Sequence, residues 1–331
     1  MFQTEIILFL QSFASGFLTA FFRFFTEIGR SSFVIPLILV ILFGVSFRVG
    51  CVLAHLVIWN GIITNFLKEL FSLPRPANVD SNIQLLGEHY PNPTPFTDMG
   101  AKSFFGRLPQ NVVDYLRVNR IDSWGFPSGH SSMAVAFWGS ISLFFKKTWV
   151  WVIAGIMIIF IPLSRMYLGR HFLADVMGGL LLGFLVLLIF TNLVFRNEKL
   201  KLFLFEKPGK VQLDLKSILF LTYFLIVPLL LLFVPKIDPE DTATILGLNL
   251  GFLLLWFRGI PKDSGNIWQR IARVGIAFIS YYGISEALER GAGLIFRNEL
   301  GPVEFIRKTL TIFLIFWGST EISIKLGFFR R

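Results

Sequence analysis

Runs such as "WVWVIAGIMIIFIPL" (149–163) and "VMGGLLLGFLVLLIF" (176–190) constrain this chain more than anything else in it. A backbone in hydrocarbon must satisfy its own hydrogen bonds, so apolar runs of ~20 residues are read as membrane-crossing helices. On that ruler ten spans are expected, at about 5–24, 32–47, 50–67, 129–145, 149–166, 172–195, 217–235, 242–258, 269–289 and 304–325. The expected fold class is therefore all-α, a polytopic membrane helix bundle. Composition agrees: 54% of the 331 residues are hydrophobic and only 16% are charged, against roughly a quarter charged in soluble proteins. The start, "MFQTEIILFLQSF", has no basic region ahead of its apolar run and no small-residue cleavage site, so it is expected to be retained as the first span.

Lys and Arg concentrate in cytoplasmic loops, so charge gives both a boundary and an orientation. The segment 196–216 carries Arg196, Lys199, Lys201, Lys207, Lys210 and Lys216. As a basic cytoplasmic linker it divides an expected six-span core, 1–195, from a four-span C-terminal extension, 217–331. Lys146 and Lys147, the loop from Arg258 to Arg273, and the tail with Lys325, Arg330 and Arg331 fall on the same side, while the acidic "KIDPED" (236–241) falls outside. Arg23 and Arg30 then lie on the outer side, against the trend. The long connection 68–128 is also outside, and loops of that length are more often functional than idle. Within it "GRLPQNVVDYLRV" reads as a short amphipathic helix with Val113, Leu116 and Val118 on its apolar face. Because the net charge of +10 sits in these short loops, nucleic-acid binding is excluded. A single cysteine, Cys51, excludes an intrachain disulfide and a cysteine-based metal cluster.

Three polar clusters stand at span ends on that outer face. "KELFSLPRP" brings Lys68 and Arg75, "GFPSGHSS" brings Ser128, Gly129 and His130, and "SRMYLGRHFLAD" brings Arg165, His171 and Asp175. Ionisable groups at membrane depth are expensive, so their default reading is functional. Lys68, Arg75 and Arg165 offer positive charge, and the arginine forks suit phosphate oxygens. Ser128 and Gly129 open a helix whose first N–H groups form an anion site. His171 and Asp175 are four apart and share a helix face, so the carboxylate can hold one ring nitrogen while the other acts as nucleophile. His130 can then give a proton to the departing oxygen. Alone, each piece has a structural reading: snorkelling cations, an N-cap serine, a histidine tied to a helix start.

Together, Lys68-x6-Arg75-Pro76, Pro127-Ser128-Gly129-His130 and Ser164-Arg165-x5-His171-x3-Asp175 resemble the three-part signature of the type 2 phosphatidic acid phosphatase superfamily. The resemblance covers residues 1 to about 195. It implies a lipid phosphate phosphatase, multi-pass in a bacterial inner membrane with its site on the extracytoplasmic face. In that reading His171 attacks phosphorus to give a phosphohistidine, Asp175 orients it and His130 protonates the leaving group. Lys68, Arg75, Arg165, Ser128 and Gly129 hold the phosphate. No cofactor or metal is expected. The substrate stays open among isoprenoid diphosphate, phosphatidic acid, phosphatidylglycerol phosphate, sphingoid-base phosphate and lipid A phosphate. A phosphotransferase with the same residues and an inert lipid transporter are the alternatives, and retention of both histidines favours an enzyme.

Outside the signature, His55 is expected to pack within the bundle and His89 to be exposed. Gly179-x3-Gly183 fits close helix packing. Arg170 is placed to touch a headgroup. Glu286, Glu289 and Arg290 either line a substrate groove or pair among themselves or with Arg297. Residues 196–331 carry no recognisable motif.

Overall fold

In a computed structural model, residues 1–87, 94–119, 123–205, 215–295 and 301–331 are described. His89, Arg297 and the linker residues Lys207 and Lys210 lie outside them. Among the described residues every regular element is helical, apart from one isolated antiparallel bridge between Lys262 and Arg330.

The N-terminal half contains α1 (Glu5–Gln11), α2 (Gly16–Ile28), α3 (Ser31–Val40), α4 (Phe47–Phe71), α5 (Pro76–Val79), α6 (Gln110–Val118), α7 (Gly129–Met133), α8 (Gly139–Phe145), α9 (Thr148–Tyr167) and α10 (Leu173–Phe190). A π-helical turn, Ala134–Trp138, joins α7 to α8, so 129–145 is one continuous helix. Beyond α10 come α11 (Glu198–Phe205), α12 (Leu215–Leu221), α13 (Val227–Leu231), α14 (Pro239–Arg258), α15 (Ile267–Ile295), α16 (Gly301–Phe313) and α17 (Ser319–Lys325).

Among the described residues three helices are long and apolar enough to cross a membrane, Phe47–Val79, Thr148–Tyr167 and Leu173–Val194, or four if the bent pair Glu5–Gln11 and Gly16–Ile28 is one span. The expected first span, 5–24, is instead two helices bent by 119°. Its break follows from local chemistry, since Ser15 Oγ accepts from the Leu18 N–H at 3.2 Å and so starts a new helix. The α10 helix carries an exposed stripe of Met177, Leu181, Phe184, Leu185 and Leu188. Leaving such side chains in water forgoes roughly 1.5–3 kcal/mol each, and lipid removes that penalty. The chain is an integral membrane protein.

Two compact units make up the chain, Met1–Val34 with Ile63–Ile189, and Ile35–Ile62 with Phe190–Arg331. The second unit thus takes in residues of the N-terminal half that the charge run at 196–216 does not mark. In it the ring nitrogens of His55 lie 2.8 Å from the Cys51 carbonyl and 3.0 Å from Asn249 Oδ1, and the ring donates its N–H to one of these acceptors. Gly247 lets α14 approach α16 so closely that a Cβ there would lie 2.4 Å from the Thr309 carbonyl. On the surface Glu286 pairs with Arg290.

In the first unit α6 forms where the amphipathic pattern places it. Val113 and Leu116 are buried with Val112, Ile7, Val79 and Phe172. Val118 differs from the expectation: it is 82% exposed. At 100° per residue, position 118 turns well away from 113 and 116, and Val112 fills the buried face in its place.

Candidate active site

The first unit brings the three clusters together. At the end of α9, Gly169 takes φ +73°, and a Cβ there would lie 2.5 Å from the Gln84 carbonyl, so glycine is required. The Arg165 carbonyl then accepts from two backbone N–H groups, Arg170 at 2.9 Å and His171 at 3.1 Å. This turn fixes the guanidinium-bearing residue and the histidine as one piece. Asp175, one turn into α10, reaches back: its Oδ2 accepts from the Phe172 N–H at 2.9 Å and lies 3.3 Å from His171 Nδ1. With Nδ1–H directed at the carboxylate, Nε2 keeps its lone pair.

The second cluster is bolted to the third. The Ser128 N–H donates to the Asp175 carbonyl at 2.9 Å, and Gly179 and Gly183 let α10 lie against the helix that begins at Gly129. A Cβ at either glycine would come within 2.3 Å of a carbonyl oxygen, of Ser128 and Ser132 respectively. Ser128 caps its helix, with Oγ accepting from the Ser131 N–H at 3.4 Å and the Ser131 hydroxyl at 2.9 Å. The first cluster joins through Gly125, whose N–H donates to the Leu73 carbonyl at 2.7 Å; a Cβ there would meet Asp175 Oδ2 and the Pro74 carbonyl. Arg75 is oriented by Ser123, donating from Nε to its carbonyl at 3.1 Å and from Nη2 to its Oγ at 2.8 Å.

Ser128, Arg165, His171 and Asp175 are buried, whereas Lys68, Arg75, Gly129 and His130 are half-buried. The His171 ring is held well below the usual imidazole range, first by burial and then by the charges of Arg75, Arg165, Lys68 and His130. It is therefore neutral, as a nucleophile must be. His130 Nε2, Arg165 Nε and Asp175 Oδ1 are buried without a protein partner. Such atoms are rare and mark places where a ligand or ordered water completes the bonding. Among the described residues no group of three His, Cys, Asp or Glu side chains is arranged to hold a metal ion. Chemically, the arrangement suits a tetrahedral oxyanion: cations and a helix start to hold it, one oriented imidazole to attack, and a second to transfer a proton.

Sequence reasoning did not find the contribution of α2. Thr26 Oγ1 accepts from Arg165 Nη1 at 2.9 Å and from the Ser164 hydroxyl at 3.1 Å, and Gly29 lies against the His130 ring. The nearest signal was the pair Arg23 and Arg30, cations on the face where the charge rule expects few.

Residues 48–199 match the family described as the PAP2 superfamily. Phosphatidylglycerophosphatase B of Bacillus subtilis (strain 168) is 28% identical over 187 residues, covering 54% of this chain and 74% of that protein. Lipid A 1-phosphatase of Rhizobium johnstonii is 28% identical over 135 residues, 41% of this chain and 43% of its own length. Among solved structures, LpxE of Aquifex aeolicus aligns at a TM-score of 0.44 with 23% identity, covering 58% of this chain and 96% of that one.

Proposed function

We propose, on the premise that residues 48–199 belong to the PAP2 superfamily, that the chain is a membrane phosphatase that removes phosphate from a lipid through a phosphohistidine. The observation that carries this reading is the convergence of His171, Asp175, His130 and three cations on one site. Lys68, Arg75 and Arg165 hold the phosphate oxygens with the helix start at Ser128 and Gly129. His171 Nε2 attacks phosphorus and the bond to the lipid oxygen breaks, while His130 passes its proton to that oxygen. Water then attacks the phosphohistidine, with His130 taking a proton back, and inorganic phosphate leaves. Proton transfer of this kind contributes about 10²–10⁴-fold, and Arg165, the buried cation, acts where solvent screens least.

The relatives named above act on phosphatidylglycerol phosphate and lipid A phosphate, so a glycerolipid or saccharolipid phosphate is the class they support for this chain. Isoprenoid diphosphate, phosphatidic acid and sphingoid-base phosphate share the recognised group. In this account 1–195 is a six-span catalytic core, 196–216 a cytoplasmic linker and 217–331 a four-span extension. The site opens on the extracytoplasmic face of a bacterial inner membrane, and turnover needs no metal.

The test is phosphate release from a panel of lipid phosphates in detergent, with a chelator present. Release that persists with chelator and is lost in both His171→Ala and His130→Ala supports the reading. Equal release by His171→Ala refutes it.

A further inference from the structure

Four buried side-chain atoms of the first unit have no protein partner among the described residues: His130 Nε2, Arg165 Nε, Asp175 Oδ1 and Thr64 Oγ1. Three of them belong to the signature clusters and lie at the site. The fourth belongs to no motif. Thr64 is on α4, one turn before Lys68, so the two side chains share a helix face. Helical side chains lean toward the N-terminus of their helix, which lays Lys68 over the turn that carries Thr64. From the other direction, a Cβ at Gly129 would stand 3.4 Å from Thr64 Cγ2. Thr64 therefore stands between Lys68 and the residue that opens the helix 129–145.

A buried hydroxyl in a helix has an easy partner in the carbonyl three or four residues back. The first unit uses that bond repeatedly. Ser140 donates to the Ala136 carbonyl at 2.7 Å, Ser142 to the Trp138 carbonyl at 3.1 Å and Ser164 to the Ile161 carbonyl at 2.7 Å. Thr64 forgoes it although the residue is only 3% exposed. An unmet buried hydroxyl costs stability, and a ligand that completes it explains why it is kept. The neighbouring groups say which kind of ligand. Lys68 and the first N–H groups of the helix that opens at Gly129 are donors, so the group that sits among them is an acceptor with several lone pairs, an oxyanion.

We infer that Thr64 is a further ligand of the phosphate group, its hydroxyl donating to an oxygen held between Lys68 and the helix start at Gly129. This rests on the phosphatase reading above and deepens it. The bond forms only when phosphate enters. It therefore contributes to phosphate affinity and to kcat/KM, and nothing to the stability of the empty protein.

The experiment compares the purified full chain with Thr64→Val, which keeps the shape and removes the hydroxyl, and Thr64→Ser, which keeps the hydroxyl. Three quantities are measured at fixed pH and ionic strength: kcat/KM for the lipid phosphate released fastest in the panel above, the dissociation constant of inorganic phosphate by calorimetric titration, and the unfolding midpoint without phosphate. His171→Ala is the blank for release. In Thr64→Val both kcat/KM and phosphate affinity should fall about tenfold or more, the scale of one hydrogen bond to a charged group, while Thr64→Ser keeps most of both. The phosphate-free midpoint of Thr64→Val should be no lower than that of the wild type, because the substitution removes a polar group that had no partner. Unchanged phosphate affinity in Thr64→Val, or equal losses in the two variants, overturns the inference and leaves the phosphatase intact. A lower phosphate-free midpoint in Thr64→Val also overturns it, since the hydroxyl then has a structural partner. Wild-type release no greater than the blank overturns the phosphatase reading itself, and the phosphate titration still decides for or against Thr64.

Discussion

His171 is the side chain on which the proposed chemistry turns, and its environment has a measurable consequence. Burial, followed by the charges of Arg75, Arg165 and Lys68, holds its ring well below the usual range, so the folded protein refuses a proton that the unfolded chain accepts below about pH 6.5. Between those two values the unfolded state binds more protons, and stability therefore rises with pH. Lowering the pH from 7 to 5 should destabilise the wild type more than His171→Asn, by at most about 1.4 kcal/mol per pH unit. Thermal unfolding of both proteins across that interval checks the sign, and parallel curves would show that the ring is not held neutral. Most of the site's residues were legible in the sequence because they sit in three short stretches at span ends. Thr26 and Gly29 were not, because they meet Arg165 and His130 from more than a hundred residues away and form no motif of their own.

At the scale of elements, the site depends on how closely α10 lies against the helix that starts at Gly129. The sequence pattern Gly179-x3-Gly183 signalled close packing, and the structure supplies its partners, the carbonyls of Ser128 and Ser132. Gly179→Ala places a methyl where a Cβ would be 2.3 Å from the Ser128 carbonyl, and overpacking of that kind costs about 1–3 kcal/mol. It should lower kcat as well as stability, because the displaced residue caps the helix proposed to bind the phosphate. Gly155→Ala, with open space around it, is the control and should change neither. Steady-state kinetics and unfolding midpoints of the two variants separate these outcomes. Helix breaks were harder to foresee than helices. The 5–24 run has the composition of a span, yet one serine cap turns it into two helices, since hydropathy averages over the residue that decides.

For the whole molecule, apolar runs revealed the class of fold. Ile35–Ile62 groups with the C-terminal helices, and contacts between segments so far apart leave no local trace in composition. Orientation is the property that charge does address. Cys51 is buried and is the only cysteine, so a Cys51→Ala background makes single-cysteine labelling clean. In intact cells, cysteine at the exposed position Ser123 should react with an impermeant maleimide, and cysteine at the exposed Lys147 only after permeabilisation. The reverse pattern would put the site on the cytoplasmic face.

If His171 carries the phosphoryl group, turnover passes through a covalent intermediate that can be trapped. The measurement is rapid quenching of enzyme turning over a labelled lipid phosphate, followed by mapping of the label on peptides. The account expects a base-stable, acid-labile label on the peptide containing His171, absent in His171→Asn. Wild-type turnover without such a label, or turnover by His171→Asn at the wild-type rate, would contradict it.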